Sequence, residues 1–507
     1  MQSMRRSLSG VTALNKQFTR SVVINSTVVN NNEETLKSWR EIPGPSSLPL
    51  IGQLLHFLPG GSLADANEKL PDILNSRYGP ITKIDGLFGA PTLILLSDAE
   101  AVSQVLRGEN WMPVRPGFQS LDYFRKNYLK KNPNDPNEAT GLITDHGEPW
   151  KKFRSTVNPI LLQPKTIKLY SSTLNEVAED MVKRMRSKRN EKNIIEGKFD
   201  VEMNLWALES IGVVALGGRI NCLDPNLPED SPARKLIQLV HEIFKSADAL
   251  DFKPSIWRYI STPAFKRAMK SYAEQMEISK FFIHKAMEEL KSKKKSSNEE
   301  KSVLEKLLEI DENVAIIMAS DMLFAGVDTA ANTMTATLYL LAKNPEKQEK
   351  LREEILSSEE KRPYLKACLK ESMRIMPVAS GNIRQTTKEY NILGYKIPAG
   401  TYITFAHQYL SNLEEHYPKP KEFIPERWIT NKDDPLYHGN AHQLAYSPFG
   451  FGARSCIGRR IAQLETETFL AKLIENFQVE WFGPPLQVKQ TSLNYIVGPF
   501  NFIFKDI

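Results

Sequence analysis

Apolar positions recur with a helical period along most of this chain and with a strand period only in short patches. Helical spacing runs through residues 175–188, 199–216 and 233–246, where side chains three and four apart share one face. Residues 303–343 read as one long helix, apolar enough around 314–322 and 335–341 to be buried. Residues 81–84 and 92–96 read as two strands around Gly86 and Gly89, a small hairpin. Ser97 is placed to cap a helix running to about Arg107, with Glu100 three residues on to complete a capping box. Between Asn110 and Thr140 the prolines at 113, 116, 133 and 136 interrupt any period and predict a loop. The pattern predicts a mainly α protein with a small β-rich lobe.

Pro43-Gly44-Pro45 marks a rigid turn where the folded domain is expected to begin. Residues 1–32 hold no acidic side chain but carry Arg5, Arg6, Lys16 and Arg20 among many Ser, Thr and Asn. That is the composition of a mitochondrial presequence or of a basic tail. The expected organisation is a leader over 1–40 and a single domain over 41–507. No run of about 18 or more apolar residues occurs. A hydrophobic fraction of 41% and a charged fraction of 25% are those of a globular protein. The net charge of +6 is mild over 507 residues. It suits an acidic protein partner or an anionic membrane surface and is too diffuse for nucleic acid. Cys222, Cys368 and Cys456 are too far apart for a disulfide framework or a zinc site. Residues 291–301 are a charged, solvated loop, and Phe252, Trp257, Tyr259 and Ile260 form an apolar cluster between two helices.

The richest chemistry lies in Phe449-Gly450-Phe451-Gly452-Ala453-Arg454-Ser455-Cys456-Ile457-Gly458, one cysteine between a glycine-rich turn and a helix starting near Gly458. A dinucleotide loop would need a third glycine where Ser455 stands. The cysteine could be a buried structural residue, or an attacking thiolate, although no histidine lies nearby in sequence as its base. The remaining reading is an axial thiolate to haem iron, with helix N-terminal amides favouring the thiolate. On that reading Gly452 permits the turn, Gly458 lets the helix pass a flat macrocycle, Phe449 screens the sulfur and Arg454 meets a propionate. A second unusual string is Ala325-Gly326-Val327-Asp328-Thr329, a carboxylate and a hydroxyl inside an apolar helix. These groups are costly there unless used or satisfied. Thr329 can compete for the Ala325 carbonyl and open the helix locally.

The cysteine string resembles the haem loop of the cytochrome P-450 family, and it matches Phe-x-x-Gly-x-Arg-x-Cys-x-Gly at every fixed position. Trp150/Arg154, Ala325 to Thr329, Glu371/Arg374 and Arg427 precede it in the family's order, so the resemblance covers about Pro43 to Ile507. Ala330 departs from the second Thr or Ser of many members. The resemblance implies the cytochrome P-450 fold, haem b, and insertion of one oxygen atom from O2 into a lipophilic substrate, steroid-like or foreign. It implies that Cys456 is the axial ligand and pushes electron density onto iron. Asp328 and Thr329 would manage protons. Trp150, Arg154 and Arg384 would bind propionates, and Glu371, Arg374 and Arg427 would form a structural triad. Phe324, Ala325, Val378, Ala379 and Val497 are the expected pocket, with Trp111, Phe118, Leu121 and Tyr123 as candidates from the overlying loop.

The leader and the strings Trp111-Met112-Pro113-Val114-Arg115-Pro116-Gly117 and Pro254-Ser255-Ile256-Trp257-Arg258-Tyr259-Ile260 look most like arthropod mitochondrial members. That class implies electrons from an acidic adrenodoxin-type ferredoxin and its reductase, docking on Lys366, Lys370, Arg459 and Arg460. It also implies peripheral membrane contact on the matrix face of the inner membrane. A peroxide-rearranging haem-thiolate enzyme and a non-catalytic haem carrier or sensor are the rival readings.

Overall fold

The computed structural model describes residues 36–507 except 65, 67–68, 87–90, 131–137, 196–198, 254, 293–299 and 358–360. The basic stretch 1–32, Gly89, Pro133, Pro136, Pro254 and most of the charged loop 291–301 lie outside the described residues. The chain opens with β1 (Lys37–Ser38), α1 (Leu54–Phe57), α2 (Leu70–Tyr78), β2 (Ile81–Ile84), β3 (Leu93–Leu96) and α3 (Ala99–Arg107). Next come α4 (Gln119–Phe124), α5 (Gly147–Leu161), α6 (Pro164–Lys168), α7 (Ser171–Lys188), α8 (Phe199–Leu216) and α9 (Pro232–Ala247). The helical bulk continues through α10 (Pro263–Ser292), α11 (Val303–Leu308), α12 (Glu312–Ala342), α13 (Pro345–Leu356) and α14 (Pro363–Ile375). β4 (Asn382–Gln385), β5 (Tyr390–Ile392), β6 (Tyr395–Ile397), β7 (Tyr402–Phe405) and α15 (His407–Ser411) return to the first lobe. α16 (Arg459–Asn476) precedes β8 (Phe477–Trp481), β9 (Gln487–Gln490), β10 (Asn494–Val497) and β11 (Phe502–Asp506).

Two helices organise the core because neither has a polar face. α8 is buried almost throughout, and α12 is buried along most of its length, as expected of helices apolar all round. They pack very closely: a Cβ on Gly326 would fall 2.6 Å from Cγ1 of Ile211 on α8. Trp206 of α8 then stacks on Phe469 of α16 at 4.4 Å, tying the helix after the cysteine loop to the same core. The β lobe is a four-stranded sheet in the order β2-β3-β7-β4, with β3 and β7 parallel and the outer pairs antiparallel.

Four expectations are corrected. The long helix is two, α11 and α12, because the Asp311 carboxylate accepts the Val314 amide and starts a new helix. The cap of α3 is Asp98, which accepts the Ala101 amide, whereas the Ser97 hydroxyl donates to Asn75 and Pro80. The proline-rich stretch contains α4, whose Ser120 amide and hydroxyl are held by Asp251. Folded structure also begins before Pro43. β1 pairs in parallel with β6, Ser38 and Glu41 form a capping box, and Ile42 is buried, so residues 37–40 belong to the domain.

Glu371 is fully buried and gathers five donors. Arg374 approaches through Nε and NH2 at 3.0 and 2.8 Å, and Arg427 through Nε at 3.0 Å. Trp428 Nε1 and the Ile424 amide complete the set at 2.8 and 3.2 Å. The spare guanidinium nitrogens donate to the carbonyls of Ser411 and Pro418, so one carboxylate pins α14, α15 and the 418–428 segment together. Glu371→Ala would leave two buried cations without their anion, a loss of about 3–5 kcal/mol. Its thermal midpoint should fall sharply, while removal of the exposed Lys151–Glu148 pair should leave the midpoint in place.

Candidate active site

α12 and the turn before α16 face each other across a cavity of about 410 Å³. Ala325, Thr329, Ala330 and Thr333 form the α12 wall, since positions four apart stack on one side of a helix. Thr329 donates to the Ala325 carbonyl at 2.7 Å, and Thr333 to the Thr329 carbonyl at 2.8 Å. Hydroxyls therefore compete with the helix's own amides along the strip that faces the cavity.

Cys456 stands in the opposite wall, enclosed by protein with its accessible surface turned to the cavity. Gly450 and Gly452 adopt φ of +71° and +70°, a region other residues avoid. They close the loop so that the Cys456 amide donates to the Phe449 carbonyl at 2.8 Å. Gly458 has an ordinary φ of −80°; a Cβ there would sit 3.9 Å from the sulfur, so its bareness serves the sulfur's surroundings rather than the turn. Phe449 lines the cavity beneath the Arg459 guanidinium, 5.7 Å from its ring. Burial raises the Cys456 thiol above its ordinary pKa, outweighing the Gly458 and Arg459 amides and the charges of Arg154 and Arg115. The expected thiolate preference is thus not a property of the bare loop; a metal cation would have to supply it.

One end of the cavity is strongly cationic. Arg115, Arg154 and Arg454 line it, and Arg384 of β4 lies close enough to depress Arg115 and Arg454. Burial lowers all four guanidinium pKa values, and mutual repulsion lowers those of Arg115 and Arg454 further. Arg454 spends its donors on the carbonyls of Pro113, Leu142 and Asp145 and on Nδ1 of His146. It also lies 3.8 Å above the Trp150 ring. Arg384 pairs with Glu109 at 2.7 Å. Arg154 NH2 donates to the Ser455 carbonyl, but its Nε and the indole nitrogen of Trp150 are buried with no partner.

These residues fit haem. Unspent buried donors and an excess of cations call for a multiply charged anion, and the walls toward Cys456 are apolar through Leu142, Ile143, Val378, Ala379, Phe449 and Ile457. No group of three His, Cys, Asp or Glu suited to a bare metal ion occurs among the described residues. One sulfur opposite a hydroxyl-lined helix matches a metal carried by an anionic macrocycle.

Of the expected pocket residues, Ala325, Val378 and Ala379 line the cavity; Phe324 and Val497 do not. Phe324 stacks on Phe244 at 4.9 Å, because one step along a helix turns a side chain by about 100°. Val497 pairs with Gln487 in the β9–β10 hairpin, and Leu493 takes the cavity position. Trp111 is 82% exposed and Leu121 is buried in the core; Phe118 packs on Phe244, Phe252 and Phe324, and Tyr123 on Trp257 and Phe265. Asp328 faces away from the cavity, toward α9 and β10. Lys366, Arg459 and Arg460 are exposed, and Lys370 is half-buried with Nζ 5.6 Å from the Trp428 ring.

Arg115 was missed as a member of the cationic cluster at the cavity. A basic residue between prolines in an otherwise apolar string was the available signal. Its position follows from the Val114–Gln385 bridge, which places it next to Arg384. Glu109 and His146 carried no local signal at all.

A family model described as cytochrome P450 matches residues 42–498. The chain is 38% identical over 499 residues to the cytochrome P450 CYP12A2 of Musca domestica, covering 92% of each chain. It is 36% identical to the probable cytochrome P450 12a5, mitochondrial, of Drosophila melanogaster, covering 94% of this chain and 93% of the relative. It is 31% identical to the cytochrome P450 12b1, mitochondrial, of Drosophila acanthoptera, covering 96% and 93%.

Arg115→Ala separates the anion-binding role of the cluster from a structural one. Losing one charge-assisted contact should speed haem transfer to an acceptor globin about 10- to 100-fold. The unfolding midpoint of the apoprotein should not fall, because the remaining arginines lose a like-charged neighbour.

Proposed function

Because the chain belongs to the cytochrome P450 family of monooxygenases, we propose that it inserts one atom of O2 into a lipophilic substrate, with electrons from an acidic ferredoxin. Its similarity to mitochondrial arthropod members is direct, and we place its work in the mitochondrion, at the matrix face of the inner membrane. The observation that carries the reading is Cys456 and the Thr329–Thr333 hydroxyl strip on opposite walls of one cavity with a cationic end. Haem b, when bound, would supply O2 binding and one-electron chemistry there, and Cys456 would hold its iron.

The chain's own residues set the rest. Trp150 and Arg154 offer unspent donors to the propionates, and Arg115, Arg384 and Arg454 add charge behind them. Arg454 also holds the loop to Pro113, Leu142 and Asp145, so binding and positioning share one side chain. Val378, Ala379 and Leu493 exclude water on the substrate side and suit a lipophile, steroid-like or foreign. Thr329 sits where its hydroxyl can leave the Ala325 carbonyl and hold a proton inside the cavity. Exposed Ile256, Tyr259 and Ile260, with Leu48 and Leu50, support contact with a lipid surface.

Lys366 and Lys370 on α14 and Arg459 and Arg460 on α16 form the proposed ferredoxin face. Burial depresses the Lys370 pKa, and the nearby charges of Arg459 and Lys366 depress it further, so the three lie close together. A negative partner relieves that repulsion.

Three measurements test this reading. Cys456→His should retain haem but lose the thiolate signature in the spectrum of the reduced carbon monoxide complex; an unchanged spectrum refutes axial ligation. With ferredoxin, its reductase and a lipophile panel, one oxygen of product should carry the label from labelled O2, and Lys366→Glu/Lys370→Glu should raise KM for ferredoxin about tenfold or more at low salt. Product formed without O2 or reductant would instead favour peroxide rearrangement, and haem loading with no turnover a carrier.

A further inference from the structure

Three titratable side chains from three elements meet behind the α12 wall. Asp328 comes one residue before the cavity-lining Thr329, is fully buried, and points out between α9 and β10. Its Oδ2 accepts the Tyr495 hydroxyl at 2.5 Å. Its Oδ1 has no hydrogen-bond partner and lies 3.7 Å from Nε2 of His241 on α9. The His241 side chain is 37% exposed, and its ring lies 5.7 Å from that of Tyr495. Asp200 of α8 is the further charge acting on Asp328.

An imidazole with one edge in water and the other at an unsatisfied buried carboxylate oxygen can carry protons. We propose that His241 delivers protons from solvent to Asp328, and that Tyr495 orients the carboxylate so that Oδ1 receives them. Both act through Asp328 and are positioning residues; the idea rests on the monooxygenase reading, which consumes protons in the cavity. In the step, His241 binds a solvent proton at Nδ1 and gives its Nε2 proton to Oδ1. Imidazolium becomes imidazole, carboxylate becomes carboxylic acid, and no electron moves. Release toward the Thr329 turn restores the carboxylate. A small rotation of the half-exposed ring closes the 3.7 Å gap.

The local electrostatics suit the role. Burial raises the Asp328 pKa, with Asp200 adding to it, while His241 and the Tyr495 hydrogen bond pull it back. Burial and the Asp328 charge raise Tyr495, so it stays a donor. The acid therefore lies nearer neutrality than an exposed aspartate, where it can both take and give a proton.

A plain ion pair holding α9 to α12 would affect stability alone, so the test reads protonation. In the full-length haem-loaded resting enzyme, the infrared carboxyl band of Asp328 is assigned by its loss in Asp328→Asn. In His241→Gln its pH midpoint should rise by about half a unit or more, because a neighbour able to carry positive charge is gone. Product formed per electron should fall about tenfold, with an enlarged solvent deuterium isotope effect. Tyr495→Phe, which leaves His241 in place, should also raise the midpoint and gives a second reading if His241→Gln folds poorly. An unshifted band in both variants, or a shifted band with unchanged coupling and isotope effect, overturns the proposal. The band needs no ferredoxin, so failure of the electron-donor reading would show as lost turnover with the shift intact.

Discussion

Gathering four guanidinium groups in a poorly hydrated slot is the constraint on which the rest of the structure depends. Each arginine loses hydration, and Arg115 and Arg454 lose more through repulsion by the others. Left to itself such a cluster would open to water. The fold resists this with Glu109 on Arg384, backbone carbonyls on Arg454, and the Trp150 ring beneath it. Those contacts draw in Glu109, Pro113, Leu142 and Asp145, β4 and the cysteine loop at once. The unspent donors on Arg154 and Trp150 mark the part of the demand that the protein leaves to a ligand.

The opposite wall divides its labour by helical rotation. Ala325, Thr329 and Thr333 present small or hydroxyl-bearing faces to the cavity, while Asp328 is turned out of it. A carboxylate on the cavity side would add an anion to the slot that receives an anionic macrocycle. Placed behind the wall, it pairs with Tyr495 and leaves the arginines alone. The close packing of Gly326 on Ile211 fixes that rotation, since a helix locked against α8 cannot turn Asp328 inward.

What was legible in the sequence follows from the range of the interaction involved. Cys456 with its glycines, Thr329 with Ala325, and Glu371 with Arg374 are local patterns, so spacing alone reveals them. The helical bulk was legible because α7 and α9 keep one period throughout, while α8 stands out as a long stretch that is apolar on every face. Arg115, Glu109 and His146 escaped because their roles come from long-range pairings, the Val114–Gln385 bridge above all. Phe324 was misplaced by one helical step, and Val497 by the hairpin that puts Leu493 at the cavity instead; a period resolves neither until the partner face is known. Asp98 over Ser97 was decided by Asn75, a residue far back along the chain that claims the serine hydroxyl.

Replacing the Glu371 network by apolar side chains of similar volume could leave the fold as stable or more so, because desolvating three charges offsets much of their attraction. Its value is then geometric. Five directional donors to one carboxylate allow essentially one arrangement of α14, α15 and the 418–428 segment, whereas an apolar patch tolerates several. α14 also carries Lys366 and Lys370, and the cavity-lining Leu369 and Met373. A slip of this helix would disturb both the cavity floor and the spacing of the basic face. The triad thus exchanges some stability for register on a helix that carries both basic side chains and part of the cavity wall.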